Sequence, residues 1–178
     1  MKDFGQGKPV VMVCDPIRRV APPRWAEGFA IRPMTLEEIP LWTEIQRRAE
    51  PWCPIADDQF EKSFGGDAGK IGRRCFFIVD GSGNAVGTIS AWDDDDFEGR
   101  SFGRLHWLAV VPEAQRKGLA RAATAHVMQL LKAWHGRAYL DTQSNRIPAI
   151  KLYLEFGYQP WIRNEGDKSL WRAILERI

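Results

Sequence analysis

The hexapeptide Gln115-Arg116-Lys117-Gly118-Leu119-Ala120 has the residue types of an anion site. It follows an apolar run that Pro112 ends, and beyond it Leu119, Ala123, Val127, Leu130 and Trp134 recur at helical spacing. This pattern predicts a strand over residues 104–111, a short loop, and a helix starting near Arg116. A helix N-terminus presents unpaired backbone N–H groups and the positive end of the helix dipole. Gly118 in that first turn lets a phosphate approach the backbone without meeting a Cβ. The expected donors are the N–H groups of Gly118, Leu119 and Ala120. Arg116, Lys117 and Arg121 can add charge as forks or point charges, although a solvated surface explains any one of them equally well. The chemistry is the binding of a pyrophosphate.

Other phosphate loops do not fit. No G-x-x-x-x-G-K-[ST] occurs, which excludes an ordinary Walker A loop. Gly81-Ser-Gly83-Asn-Ala-Val-Gly87 has glycines at suggestive spacing, but it lies between two strand-like runs and opens no helix. It reads as a hairpin connection.

A second motif lies downstream, Pro148-Ala149-Ile150-Lys151-Leu152-Tyr153-Leu154-Glu155-Phe156-Gly157-Tyr158. Proline suits a first helical turn, Ala149, Leu152, Tyr153 and Phe156 share one face, and Gly157 is placed to cap the end. A strand over residues 138–142 separates the two motifs. In this order, Q-R-K-G-L-A and A-x-x-L-Y-x-x-x-G-Y resemble the signatures of the GCN5-related N-acetyltransferase (GNAT) superfamily, and the resemblance runs over residues 29–174. It implies an α/β fold with a central, mostly antiparallel mixed sheet flanked by helices. It also implies acetyl-coenzyme A, or another acyl-CoA, as co-substrate, with no metal. The implied reaction is direct transfer of the acyl group, in a ternary complex, to a primary amine of a small molecule or peptide. A non-catalytic acyl-CoA-binding or sensing module, and O-acyl or aminoacyl-tRNA-dependent transfer, to a hydroxyl or to a tRNA-linked acceptor, remain as alternatives.

Such a transfer needs a neutral amine, a stabilised oxyanion and a proton for the departing thiolate. The resemblance places the pantetheine arm and acyl carbonyl against the backbone of Leu108, Ala109 and Val110, where an N–H can stabilise the oxyanion. Tyr153 matches the family tyrosine that protonates the thiolate; a phenol near pKa 10 can donate to a thiolate whose own pKa is near 8.5. An amphipathic core tyrosine is the competing reading. His106, with a reference pKa near 6.5, suits the base role. Its segment, His106-Trp-Leu-Ala-Val, resembles arylalkylamine acetyltransferases, and side-chain alternation puts it on one face with Arg104, Leu108 and Val110. A packed strand histidine is the other reading. Asp141 is the rival base, since ribosomal-protein alanine acetyltransferases carry a Glu at the equivalent position. A family asparagine that contacts the cofactor aligns with Arg146, with Asn145 adjacent, so either residue is a candidate.

The remaining elements must position these groups. At 178 residues, 44% hydrophobic and 27% charged, the chain has the length and composition of one globular domain. Residues 1–28 read as an extension with one strand-like piece at 10–14, and residues 29–178 as the acyltransferase domain. Phe29 to Met34 read as a first core strand. Thr35-Leu-Glu-Glu38 offers a capping box, but Pro40 leaves open a helix that starts later. A short helix at 57–64, a Gly-rich loop, strands at 75–79 and 85–92, and a loop at 93–103 come next. Gln159 to Arg163 and Ser169 to Ile174 read as a terminal antiparallel pair. The four aspartates at 93–96, beside Trp92, can attract a cationic amine or be a solvated acidic loop. A net charge of +2 without a basic stripe argues against nucleic acid. No apolar run approaches span length, which predicts a soluble, cytoplasmic protein with no membrane role. Three widely spaced cysteines show no metal-ligand spacing and read as buried or free thiols. Oligomeric state has no motif.

Overall fold

Val10, Met12, Val13 and Cys14 are buried along strand β1 (Pro9–Cys14). This computed structural model, which describes residues 7–51 and 53–178, adds β2 (Ala30–Pro33), β3 (Cys75–Val79), β4 (Ala85–Phe97), β5 (Arg100–Val110), β6 (Ala138–Gln143) and β7 (Gln159–Pro160). The helices are α1 (Ile39–Ala49), α2 (Gln59–Phe64), α3 (Ala68–Arg74), α4 (Leu119–Trp134), α5 (Ile147–Glu155) and α6 (Glu165–Leu175). The seven strands are ordered β2-β3-β4-β5-β6-β1-β7. β2 and β3, β3 and β4, and β1 with both β6 and β7 pair antiparallel, while β5 and β6 pair parallel. The expected mixed α/β sheet with flanking helices is the fold the chain adopts. It divides into a larger unit, Ala21–Trp92 with Leu105–Leu130, and a smaller one, Met1–Val20 with Asp93–Arg104 and Leu131–Ile178.

In the larger unit the strands carry apolar residues on both faces, so all five residues of β3 are buried. α1 lays Trp42 and Ile45 into the core, and the Trp42 ring meets Phe60 and Phe64 of α2 edge-on at 5.1 and 6.0 Å. Each fully buried aromatic of this kind contributes about 2–3 kcal/mol of transfer free energy. Both readings of the first helix are partly realised. Glu38 accepts from the Thr35 N–H at 3.0 Å and closes a 3-10 turn over Leu36–Glu38, and the regular helix then begins at Ile39 with Pro40 in its first turn. The hairpin at 80–84 is as expected: Asp80 accepts from the N–H groups of Ser82 and Asn84, each at 2.9 Å.

Several expectations are corrected. The Gly-rich loop after α2 contains α3, because Asp67 caps it by accepting from the Lys70 N–H at 2.9 Å and Ile71 anchors it in the core. The loop expected at 93–103 is a tight hairpin. β4 runs through the aspartates to Phe97, and Glu98 and Gly99, at φ 52° and 74°, form the two-residue turn into β5. Positive φ at both central positions matches the twist of the flanking strands.

In the smaller unit the expected terminal strand pair is absent, since residues 169–174 lie in α6. Asn164 caps that helix by accepting from the Asp167 N–H at 2.9 Å, and Trp171 and Ile174, three apart, form its buried stripe. β1 occupies the place beside β7, its register running from Pro9 opposite Gln143 to Cys14 opposite Ala138. The residues read as an extension therefore supply a strand of the sheet; of that stretch, residues 1–6 lie outside the described residues. Gly103 lets β5 lie close to β6, since a Cβ there would stand 2.7 Å from Leu131 Cδ2 and 3.3 Å from the Arg137 carbonyl oxygen. Phe97 stacks on Tyr139 at 4.0 Å and 10°, closing a cluster with Phe102 and Val13. Among the described residues no helix is long and apolar enough to cross a membrane, and no His, Cys, Asp and Glu cluster suits a metal ion.

Candidate active site

The larger unit holds the loop expected to bind an anion. A 3-10 turn over Pro112–Ala114 leads into residues 115–118, all exposed, and α4 starts at Leu119, three residues later than expected. The reason is backbone conformation: Arg116 and Gly118 have φ 63° and 77°, which no α-helix accommodates. Gly118 is the N-cap, and its carbonyl accepts the first helical bond from the Ala122 N–H at 3.1 Å. Arg116 and Lys117 thus precede the first turn, which Arg121 joins. A turn that passes through left-handed residues into a helix directs successive N–H groups to one side, the geometry of an anion nest. The space a Gly118 Cβ would enter is open within 4 Å. Gln115 ties the loop to the end of β5, its Nε2 donating to the Val110 carbonyl at 2.9 Å.

The last residues of β5 precede this loop. Leu108 is half-buried, and Ala109 and Val110 are buried. Trp107 is left-handed within the strand, at φ 51°. A regular strand sends neighbouring side chains to opposite faces. Here the His106 ring lies 5.5 Å from Phe64 and the Trp107 ring 5.1 Å from Trp42, two rings of one cluster. The alternation that grouped His106 with Leu108 and Val110 is therefore interrupted at Trp107. His106 sits half-buried against Phe64 and Trp107.

The smaller unit holds the other candidates. Asp141 on β6 is exposed and ion-paired with Arg104 of β5, whose guanidinium also lies 5.3 Å from the Tyr139 ring centre. Tyr153 is buried in α5, its ring edge-on to Tyr158 at 6.0 Å. Gly157, at φ 89°, ends that helix as expected, and the Tyr158 N–H donates to the Tyr153 carbonyl at 3.1 Å. Arg146 is the N-cap of α5 and its carbonyl accepts from the Ala149 and Ile150 N–H groups at 3.0 Å. Asn145 is exposed and lies against Gly7, where a Cβ would meet its side-chain oxygen.

The sequence profile of the acetyltransferase (GNAT) family matches residues 36–158. The chain belongs to the GNAT family. No curated protein matches it. Among solved structures, a GCN5-related N-acetyltransferase from Sphaerobacter thermophilus superposes with a TM-score of 0.71 at 19% identity, covering 88% of this chain and 49% of that one. The chain therefore spans about half the length of that protein. The ribosomal-protein-S18-alanine N-acetyltransferase from Escherichia coli aligns at 0.59 and 21% identity, over 75% of this chain and 79% of its own. An aminoglycoside N-acetyltransferase, AAC(6')-Iy, crystallised with CoA, aligns at 0.58 and 20%, over 76% and 91%. At these identities the likeness is one of fold.

Two buried polar residues of this GNAT chain stand out in the larger unit. Gln46 Nε2 donates to Thr88 Oγ1 at 2.7 Å and to the Trp107 carbonyl at 3.3 Å, and Thr88 Oγ1 donates to the same carbonyl at 2.8 Å. The signal in the sequence was a glutamine occupying the apolar stripe Trp42, Ile45, Gln46, Ala49 of a helix. The aspartate run is engaged internally. Asp94 accepts from the Tyr139 hydroxyl at 2.5 Å and Asp95 from the Ser101 hydroxyl at 3.1 Å; burial, then the bond to Asp94, push the Tyr139 hydroxyl up. Trp92, in the larger unit, has its ring face covered by the Lys70 ammonium at 4.4 Å.

Proposed function

We propose that this chain is an acyl-CoA-dependent N-acyltransferase that transfers acetyl from acetyl-CoA to a primary amine of a small molecule or peptide, by direct attack in a ternary complex. The observation that carries the reading is the loop at 115–118, in which left-handed residues at Arg116 and Gly118 lead straight into the N-terminus of a sixteen-residue helix. That loop, exposed and with open space in front of Gly118, suits a pyrophosphate. Bound acyl-CoA supplies an activated thioester. The N–H groups of Gly118, Leu119 and Ala120 hold the pyrophosphate, with Arg116, Lys117 and Arg121 adding charge, and Asn145 or Arg146 makes a further polar contact.

The backbone of Leu108, Ala109 and Val110 positions the thioester and stabilises the oxyanion. His106 accepts the proton of the attacking amine at an imidazole nitrogen, and the Tyr153 hydroxyl gives one to the leaving thiolate. The acceptor class fits the family and the two acetyltransferases above, whose names specify an alanine of a ribosomal protein and an aminoglycoside.

Calorimetric titration with acetyl-CoA tests the cofactor half. The natural chain binds, and Gly118→Glu, which adds a side chain and a repelling charge at φ 77°, loses binding while keeping the far-ultraviolet dichroism of the parent. Unchanged affinity in the folded variant overturns the phosphate-loop assignment. An amine panel with acetyl-CoA then tests transfer, and binding without turnover of any amine would favour a sensing module.

A further inference from the structure

Trp107 is a bulky residue in the left-handed region, within a strand. That conformation crowds the Cβ of an L-residue against its own backbone and persists only where its surroundings hold it. The surroundings are specific. The Trp107 carbonyl accepts from two side chains, Thr88 Oγ1 at 2.8 Å and Gln46 Nε2 at 3.3 Å, which are themselves joined at 2.7 Å. Thr88 is 1% and Gln46 4% exposed, so neither bond competes with water. The Trp107 indole closes the arrangement against Trp42 at 5.1 Å. Next to Thr88, Gly87 makes room for the backbone beyond Trp107, because a Cβ on it would stand 2.6 Å from the Ala109 carbonyl oxygen. Together these contacts dictate where the backbone of residues 108–110 lies.

We infer that Gln46 and Thr88 are positioning residues, which clamp the Trp107 carbonyl and so aim the backbone of Leu108, Ala109 and Val110 at the pantetheine and thioester of acyl-CoA. The inference rests on the proposed acyl-CoA function. Neither side chain touches the ligand. The clamp acts on the thioester half of the molecule, whereas the pyrophosphate is held by the separate loop at 115–118.

That division supplies the test. Acetyl-CoA and 3′-phosphoadenosine 5′-diphosphate, the nucleotide half alone, are each titrated calorimetrically into the natural chain, Thr88→Val, Thr88→Ser and Gln46→Met. Valine keeps the shape of threonine and removes the donor; serine keeps the donor. Thr88→Val is expected to weaken acetyl-CoA about tenfold, the scale of one buried hydrogen bond whose acceptor is left behind, while the nucleotide binds as before. Thr88→Ser is expected to stay within about threefold of the parent. Gln46→Met is expected to match Thr88→Val and replaces it should the valine variant not fold. Equal acetyl-CoA affinity in a folded Thr88→Val or Gln46→Met protein overturns the clamp and leaves the acyl-CoA reading standing. Parallel weakening of both ligands also overturns it, because the effect is then general. A natural chain that binds neither ligand overturns the acyl-CoA reading and the clamp with it.

Discussion

Asp141 on β6 is held in an ion pair by Arg104 on β5. To take a proton from an amine, the Asp141 carboxylate has to give up part of that pair, whereas His106 packs against the rings of Phe64 and Trp107. The acidic limb of the kcat/KM profile should therefore disappear in His106→Gln and persist in Asp141→Asn. The reverse pattern would give the base role to Asp141.

Tyr153 is buried in α5, and Tyr153→Phe removes one oxygen from it. Tyr153→Phe should keep its affinity for acetyl-CoA while kcat at saturating substrate falls by about ten- to a thousandfold, the usual range for general acid catalysis. Full kcat in this variant would mean that the thiolate takes its proton elsewhere.

His126 of α4 packs edge-on to Phe76 at 5.1 Å, and burial lowers its pKa below the ordinary histidine value. The folded state therefore binds this proton less readily than the unfolded chain, so stability rises with pH. The contribution is complete above the unfolded pKa near 6.5 and is lost as the pH falls below it. Urea midpoints measured at pH 7.5 and 5.5 should differ less for His126→Leu than for the parent, and an unchanged difference would assign the acid sensitivity to other groups.

The three cysteines differ in environment. Burial pushes the Cys75 thiol up to about 12 and raises that of Cys14, while Cys53 is only half-buried. Under native conditions iodoacetamide should modify Cys53 first, by peptide mass mapping, and Cys53→Ser should abolish the fast phase. Fast modification of Cys75 in the folded protein would contradict its burial.

Gly99 completes the turn between β4 and β5 at φ 74°. Gly99→Ala should cost about 1 kcal/mol and lower the melting temperature by about 2–4 °C. Gly66→Ala is the control, since its position has no positive φ and open space around the new methyl; it should leave the melting temperature within about 1 °C. Equal effects would place the cost outside the turn.

The sequence by itself determined the parts whose chemistry is local. The turn at 115–118 that leads into a helix, the helix around Tyr153 with its terminal Gly157, and the Asp80 hairpin were readable because each depends on residues within a few positions of one another. Tertiary structure decided the rest. Ser169 to Ile174 read as a strand, yet lie in α6, because a short apolar run has no periodicity long enough to separate the two, and the Asn164 cap acts from outside it. The place of β1 beside β6 depends on pairs as far apart as Pro9 and Gln143, and alternation reveals which side of a strand is buried without naming its partner. Trp107 shows the same limit at the candidate site. Nothing in its neighbours calls for a left-handed residue; the hydrogen bonds that hold it come from Gln46 and Thr88, brought to it only when α1 and β4 have packed.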